Sequence, residues 1–451
     1  MSIARLSFST RALVHMSMLV FAFLLPFITW QKAAMLALLA LLFNIFLLPH
    51  LGADFRKRPT DARDSNLWTG IVLYPSSVLV LILFYRHQIH IAASVWAILA
   101  LGDGVAAVAG QTLRGPALPW NREKSWSGFF GFVAAATMGA YALTRWTAPE
   151  MDVQNVLAVS VATAIVGAAV ESVPMRLDDN ISVPLVCGAF MYCAYFIDRT
   201  PFWSNWPYFG HRLVLAVVVN FLAAVAAYSM KWANRSGAAA GFVLGVAIYL
   251  GYGYKSFLVL LAFVLAGSVA TRIGYKKKAA RGIAEPRRGK RSWHEAVANL
   301  LPAAFFSVLA LTTFPQVAFR LALVAALAEA AGDTISSEIG QWIGGHTYLV
   351  TDFRRVPIGE NGGVSTGGTL AGLAASVLLV GLALGLGLCG PRPFTGAIVA
   401  LAAAEAGNLL DSVLGATIER KSLVTNGIVN FAGTGFAGAM ALVLALSMRM
   451  T

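Results

Sequence analysis

LGDGVAAVAGQTLRGPALPWNREKSWSG, residues 101–128, joins two apolar segments through a short polar stretch, and Asp103 lies at the end of the first segment. A carboxylate in or beside a membrane helix costs several kcal/mol unless it faces water or a cation. Asp103 is therefore a candidate functional residue. The Gly-Asp pair that contains it occurs again at Gly332-Asp333.

The chain around this stretch has the composition of a membrane protein. Of its 451 residues 58% are apolar and only 12% are charged, and its mean hydropathy is +0.70, which excludes an ordinary soluble domain. Apolar stretches long enough to cross a bilayer predict an all-α, polytopic helical bundle of about 14 or 15 transmembrane helices, the count depending on the short stretch 236–250. They lie near 11–30, 32–49, 68–86, 91–110, 126–144, 155–172, 182–197, 212–230, 236–250, 255–272, 294–314, 317–340, 366–388, 393–415 and 425–447.

The net charge of +13 indicates topology rather than nucleic-acid binding, because membrane proteins keep Lys and Arg in cytoplasmic loops. With the N-terminus inside, most basic residues fall in loops on the cytoplasmic side. They are 56–58, Arg114, Arg122, Lys124, Arg176, Lys231, Arg235, the run 276–291, Arg354, Arg355, Arg420 and Lys421. The run KKKAARGIAEPRRGKR at 276–291 is interpreted as a topology signal alone.

The two halves of the chain repeat one order of polar features. After each Gly-Asp pair comes a loop with Ser and Gly, KSWSG at 124–128 and GGVSTGG at 362–368, and then a Glu followed by an Asp. These carboxylates are Glu171 with Asp178 and Glu405 with Asp411. Internal symmetry of this kind predicts two related modules, with domains at 1–210 and 211–451.

The residue types in the repeat suit phosphate and Mg²⁺ chemistry. Mg²⁺ prefers one or two carboxylates and bridges phosphate oxygens, and Gly-rich loops and helix N-termini bring backbone N–H groups to phosphates. Lys124 would neutralise charge on a transferred phosphoryl group. The chain has no G-x-x-x-x-G-K-[ST] motif, so a P-loop enzyme is excluded.

Longer motifs resemble two known families of membrane kinases. LGDGVAAVAG, NREKSWSG and LDDNISVP are similar to the phytol kinase and dolichol kinase family over about residues 65–200. GDTISSEIG, VPIGENGGVSTGG and LLDSVLGATIERK resemble the phytyl-phosphate kinase family over about residues 230–447. The resemblance implies a bifunctional, CTP-dependent enzyme that converts a prenyl alcohol such as phytol, geranylgeraniol or farnesol to its monophosphate and then to its diphosphate for isoprenoid salvage.

By position, the resemblance also implies site residues in each half. Those expected to act in catalysis are Asp103, Lys124, Asp178, Asp179, Asp333 and Asp411. Nucleotide or phosphate contacts are expected from Ser125, Gly128, Glu171, Asn180, Ser336, Ser337, Asn361, Gly362, Gly363, Ser365, Ser412, Asn426 and Asn430. Asp103, Asp333 and Glu338 are expected to bind Mg²⁺. The expected partners are CTP, the prenyl alcohol, its monophosphate and membrane lipids, with both sites facing the cytoplasm.

Departures from the family patterns and two alternatives accompany this prediction, and the departures include Phe129, Glu360 and Glu419. Glu360 stands where Thr is usual in the second family, and its charge would need Arg354 or Arg355 as an offset. A cytidylyltransferase that makes a nucleotide-activated lipid would use the same Mg²⁺ and CTP but release pyrophosphate, whereas a kinase releases CDP. A secondary transporter, which also shows repeats and intramembrane carboxylates, would release neither.

Overall fold

The computed structural model describes residues 16–51 and 62–450, and in them it confirms an all-α, multi-pass membrane architecture. The start of the first predicted span and the basic residues at 56–58 lie outside the described residues. Within the described part of the chain, nine helices are long and apolar enough to cross a bilayer. They are Trp30–Leu47, Ile89–Leu113, Trp126–Thr147, Val153–Ser172, Phe209–Ser229, Tyr254–Arg272, Thr366–Gly385, Pro393–Glu419 and Asn426–Ser447.

The described residues form two compact units, the first ending at Tyr195 and the second beginning at Phe196. Unit 1 contains a 3₁₀ helix at Met18–Phe27 and six longer helices. These are α1 (Trp30–Leu47), α2 (Ala62–Phe84), α3 (Ile89–Leu113), α4 (Trp126–Thr147), α5 (Val153–Ser172) and α6 (Asp179–Ala194). Apolar residues of α3 to α6, among them Ile98, Phe132, Ala164 and Met191, form a fully buried core.

Unit 2 contains nine helices of six or more residues among its described residues, and the boundary predicted at 210/211 lies inside the first of them. They are α7 (Arg199–Ser229), α8 (Arg235–Tyr252), α9 (Tyr254–Arg272), α10 (Tyr275–Ala280), α11 (Trp293–Leu309), α12 (Gln316–Ile343), α13 (Thr366–Gly385), α14 (Pro393–Glu419) and α15 (Asn426–Ser447). Between α12 and α13 lie three short antiparallel strands in the order β2-β1-β3. These are β1 (Thr347–Leu349), β2 (Arg355–Val356) and β3 (Gly363–Val364).

Helix α12 is the centre of unit 2, because α9, α11, α13, α14 and α15 all pack against it. Its residues Leu321–Gly332 are fully buried. It is absent from the nine spans because Arg320, Glu329, Asp333 and Glu338 put three charges into any 18-residue part of it. The most enclosed helix of the unit thus carries three acidic groups, as many as α14.

In unit 1, helix α4 begins with a serine cap beside the Gly-Asp helix. The Ser125 hydroxyl accepts a hydrogen bond from the Gly128 backbone N–H at 3.2 Å, which satisfies one of the free N–H groups at a helix start. Gly128 packs directly on α3, since a Cβ placed there would lie 3.1 Å from the Ala106 carbonyl oxygen. Ala106 comes three residues after Asp103.

Unit 2 repeats this arrangement with α13 and α12. The Ser365 hydroxyl accepts a hydrogen bond from the Gly368 N–H at 3.2 Å. A Cβ on Gly368 would lie 2.6 Å from the Ser336 carbonyl oxygen, and Ser336 comes three residues after Asp333. The two Gly-Asp helices therefore hold their serine-capped neighbours through equivalent backbone contacts.

This close packing predicts opposite behaviour for two glycines of α13. A Cβ on Gly372 would lie 2.7 Å from the Gly332 carbonyl oxygen, whereas nothing lies within 4 Å of a Cβ on Gly381. We expect Gly372→Ala to destabilise the protein by about 1–3 kcal/mol through overpacking and Gly381→Ala to leave its stability unchanged. Thermal unfolding of both purified variants in detergent checks this, and equal midpoints would contradict the packing argument.

Candidate functional site

Three carboxylates from three helices converge in unit 1. Asp103 follows a π-helical turn at Ile98–Gly102 in α3, Glu171 lies one residue before the end of α5, and Asp179 begins α6. A π turn shifts the register of a helix and is frequent at functional sites. One oxygen of each carboxylate lies within 4.8 Å of one oxygen of the other two.

Lys124 places its ammonium group against these carboxylates. Its Nζ donates a hydrogen bond to Glu171 Oε1 and lies 3.9 Å from Asp179 Oδ2. Glu171 is buried, and Lys124, Asp103 and Asp179 are half-buried. The sequence-predicted residues Asp103, Lys124, Glu171 and Asp179 thus form one cluster.

The loop before α4 holds Lys124 in this position. The Leu118 N–H donates to the Lys124 carbonyl at 2.9 Å, which makes the loop a narrow hairpin. Trp120 Nε1 donates to Ser172 Oγ at 3.1 Å, and Asn121 Nδ2 donates to the Ser172 carbonyl at 3.0 Å. Because Ser172 directly follows Glu171, these bonds tie the lysine loop to the helix end that carries its partner.

The charges of the cluster are incompletely balanced. Burial lowers the pKa of Lys124, but the carboxylates of Glu171 and Asp179 outweigh that effect and raise its pKa above the usual value. Burial raises the pKa of Asp179 to about 7, although Lys124 opposes this shift. Three carboxylates face one ammonium group, so a divalent cation would supply the missing charge.

Other predicted residues of unit 1 have structural contacts that the sequence did not indicate. Asp178 caps α6, since its Oδ1 accepts hydrogen bonds from the Asn180 N–H at 2.9 Å and from Asn180 Nδ2 at 2.6 Å. Asn180 is buried. Ser125 and Gly128 form the cap of α4 described above. Their predicted roles toward phosphate and acceptor therefore remain predictions.

In unit 2, the central acidic residues are Asp333 and Asp411 with a third carboxylate, Glu329. Asp411 interacts electrostatically with Asp333, and Glu329 interacts with both. Glu329 is fully buried. The Thr434 hydroxyl lies beside it but donates to the Asn430 carbonyl, so neither Glu329 oxygen accepts a hydrogen bond from a described residue. A buried carboxylate without a donor is costly, so this position calls for a bound proton or cation.

Sequence reasoning missed Glu329 and gave no weight to Asn408. Glu329 lies four residues before Asp333 and Asn408 three before Asp411, which puts each on the same helix face as its neighbour. Asn408 Oδ1 is also buried without a partner in the described structure. The spacing of four residues from Asp333 and of three residues from Asp411 was the sequence signal that could have identified both.

Predicted residues at the end of α12 do not all point inward. Ser336 donates to the Asp333 carbonyl at 3.0 Å, whereas Ser337 is exposed and donates to the Thr334 carbonyl at 3.1 Å. Asn430, predicted to contact phosphate, lies on α15, where its Nδ2 donates to Asn299 Oδ1 at 3.4 Å.

The predicted phosphate loop packs on the end of α14. Gly362 has φ +72, and its Cα lies 3.2 Å from a Cβ placed on Gly415, which excludes larger residues at both positions. Gly363 belongs to β3, Ser365 caps α13, and Ser412 is half-buried, whereas Asn361 and Asn426 are exposed. Glu360 is offset by Arg420, whose Nε lies 2.9 Å from its Oε1. Arg354, one of the two arginines expected to offset the charge of Glu360, does not do so, because it pairs with Asp352 at 3.3 Å.

The interpretation of the run 276–291 as a topology signal alone is wrong. Lys278 is fully buried, and its Nζ donates to Glu338 Oε2 and to the Thr271 carbonyl at 3.1 Å. Arg291 Nη2 lies 3.9 Å from the other Glu338 oxygen. Glu338, predicted as a Mg²⁺ ligand, therefore lies in a buried ion pair. The described residues of unit 2 form no three-carboxylate group like that of unit 1.

Removing one partner of this ion pair is expected to destabilise the protein strongly. Lys278→Met would leave Glu338 buried without its ammonium partner, at a cost of about 3–5 kcal/mol. The double variant with Glu338→Gln should regain most of that loss. Lys277→Met is the matched control, because Lys277 is exposed and donates only to the Trp342 carbonyl at 3.0 Å. Unfolding midpoints test this, and equal losses in the single and double variants would contradict it.

Fold and site define a multi-pass membrane protein with carboxylate clusters beside glycine-packed, serine-capped helices. The chain belongs to the family of integral membrane proteins DUF92, which it matches over residues 218–447. It is 40% identical to the uncharacterized membrane protein sll0875 of Synechocystis over 233 residues, which cover 50% of this chain and 89% of that relative.

Other relatives carry more informative names. The chain is 35% identical to the protein VTE6 of Arabidopsis thaliana over 219 residues, 47% of this chain and 65% of VTE6. It is 30% identical to phytol kinase 1 of the same plant over 133 residues, 28% of this chain and 43% of that kinase. The chain thus spans less than two thirds of either plant protein. No solved structure matches it significantly.

Proposed function

We propose that the protein is a CTP-dependent isoprenoid kinase with two active sites, one in each unit. The observation that carries this proposal is the cluster of Asp103, Glu171 and Asp179 with Lys124 beside a serine-capped helix start. Similarity to proteins named phytol kinases supports an alcohol as the acceptor. The equivalent helix pair of unit 2 supports a second transfer by the same chain.

In unit 1, the Mg²⁺ complex of CTP would bind at Asp103, Glu171 and Asp179. The metal would screen the phosphate charges there. The alcohol oxygen forms a bond to the γ-phosphorus, the bond from that phosphorus to the β–γ bridging oxygen breaks, and CDP leaves with the electron pair. Asp179 lies in the cluster, whereas Asp178 caps α6, so Asp179 is the better placed carboxylate to accept the hydroxyl proton.

Lys124 has the charge to stabilise the transferred group. It is held by the lysine loop but is half-exposed, and its raised pKa keeps it protonated at neutral pH. An ammonium group near the γ-phosphate stabilises charge on the equatorial oxygens.

In unit 2, an oxygen of the prenyl monophosphate would attack the γ-phosphorus of a second CTP near Asp333 and Asp411. The P–O bond to the leaving CDP breaks, and the prenyl diphosphate forms. That acceptor oxygen is already ionised, so no base is required. Because both proposed sites belong to one chain, the membrane-bound monophosphate would reach the second site at a high effective concentration.

The experiment supplies the purified full chain with γ-labelled CTP, Mg²⁺ and farnesol in detergent. We expect label in farnesyl monophosphate first, then in farnesyl diphosphate, with CDP as the nucleotide product. Release of pyrophosphate with an unlabelled lipid product would replace this proposal by a cytidylyltransferase. Absence of any nucleotide turnover with farnesol, geranylgeraniol and phytol would reject an alcohol kinase.

A further inference from the structure

Residues 275–291, here called the basic segment, fold onto the same end of unit 2 as the acidic residues. Lys278 is buried against Glu338, and Arg281 Nη1 donates to the Gln341 carbonyl at 3.0 Å. The Ile283 side chain lies 2.8 Å from a Cβ placed on Gly359, so the segment also contacts the loop before β3. The basic segment is therefore packed against the rest of unit 2 and is not a free loop.

The last residue of the basic segment, Arg291, is fixed by its backbone. Its N–H donates to the Trp232 carbonyl at 2.8 Å, and its carbonyl accepts from the Asn234 N–H at 2.9 Å. These two bonds anchor it to the turn before α8. The start of its side chain is thus held in place before any ligand arrives.

The Arg291 guanidinium group has donors to spare. Nη2 donates to Thr271 Oγ1 at 3.3 Å and Nη1 to Glu285 Oε1 at 3.4 Å, both long bonds for a group with five N–H donors. The side chain is 30% exposed. Nη2 also lies 3.9 Å from Glu338 Oε1, and Glu338 follows Asp333 by five residues on α12, so the guanidinium group lies at the acidic end of α12 and remains accessible.

Unit 1 and unit 2 differ at the residue that would meet phosphate. Lys124 directly precedes the cap residue Ser125 in unit 1, whereas Val364 directly precedes Ser365 in unit 2. Unit 2 therefore lacks a cation at the place where unit 1 has its only salt-bridged lysine among the described residues. The basic segment, which has no counterpart among the described residues of unit 1, supplies positive charge instead.

We propose that Arg291 binds the phosphate monoester of the acceptor in unit 2 and thereby makes this unit select an acceptor that is already phosphorylated. The inference rests on the proposed function. A monophosphate brings about two negative charges toward Asp333 and Asp411, which repel it unless a cation takes part. The planar fork of Arg matches phosphate oxygens. An alcohol brings no charge and needs no such group.

Equilibrium binding without nucleotide tests this directly. The purified full chain in dodecyl maltoside micelles, free of phospholipid, is titrated with radiolabelled farnesyl monophosphate and, separately, with farnesol. We expect Arg291→Gln to weaken monophosphate binding at least about tenfold and to leave farnesol binding unchanged. Arg287→Gln is the matched control, because Arg287 pairs with Glu295 at 3.2 Å.

A second variant and an independent assay make the result decisive. Arg291→Lys keeps the charge but loses the fork, so we expect binding between those of the unmodified protein and Arg291→Gln. Monophosphate binding that is equal in Arg291→Gln, Arg291→Lys and Arg287→Gln would overturn the proposal. Failure of the labelled CTP assay would reject the kinase, whereas selective loss of monophosphate binding in Arg291→Gln would still identify the phosphate site.

Discussion

Asp103→Asn is expected to slow phosphate transfer to farnesol by at least about a thousandfold, or about 4 kcal/mol in activation free energy. The side chain keeps its size, so the packing of α3 is preserved. It loses the negative charge with which Asp103 joins Glu171 and Asp179 around one point. Mg²⁺ bound by two carboxylates beside Lys124 would be held weakly and in the wrong position.

The same variant should phosphorylate added farnesyl monophosphate at the normal rate. Asp152→Asn is the matched control in unit 1, since Asp152 only caps α5 through the Asn155 N–H at 2.8 Å and Asn also caps helices well. Separate quantification of monophosphate and diphosphate gives both rates. A folded Asp103→Asn protein that lost both activities would refute two independent sites.

Asp333→Asn is expected to convert farnesol to its monophosphate and stop there. Asp333 lies on the buried central helix of unit 2, where it interacts with Asp411 and Glu329. Neutralising it removes a carboxylate on which the positive charge of Arg291 acts. We expect diphosphate formation to fall by at least about a thousandfold, because the metal site proposed for the nucleotide would lose a ligand.

The control for this variant is Asp352→Asn, which changes an exposed carboxylate that pairs with Arg354 at 3.3 Å. A time course with labelled CTP should show monophosphate accumulating in Asp333→Asn and passing on to diphosphate in Asp352→Asn. Normal diphosphate formation by Asp333→Asn would place the second transfer elsewhere in the chain.

Hydropathy was sufficient to predict the class of fold, because lipid-facing helices must be apolar along their whole length. It gave more spans than the nine that satisfy both length and charge in the described residues. Helix α6 has 16 residues and α11 has 17, while α12 carries too many charges. Helix α12 is shielded by its neighbours, so its sequence does not have to meet the requirements of lipid contact.

The sequence predicted which residues belong to the cluster of unit 1 but not the distances between them. Asp103 and Glu171 were identified as carboxylates in or beside membrane helices, and the family resemblance added Asp179 to the same site, whereas only tertiary packing shows the distances between them. Lys278 was missed for the opposite reason. It stands among many exposed basic residues, and nothing in the sequence of such a run indicates that a single side chain is buried.

The serine caps and their glycines have a consequence for tracing distant relatives. Three residues separate Ser125 from Gly128 and Ser365 from Gly368, a spacing set by helix geometry, whereas 22 and 32 residues separate Asp103 and Asp333 from their serines. A search should therefore hold the short spacing fixed and let the long one vary. Membrane chains too diverged for ordinary alignment could then be recognised by Gly-Asp followed, after any loop, by Ser-x-x-Gly.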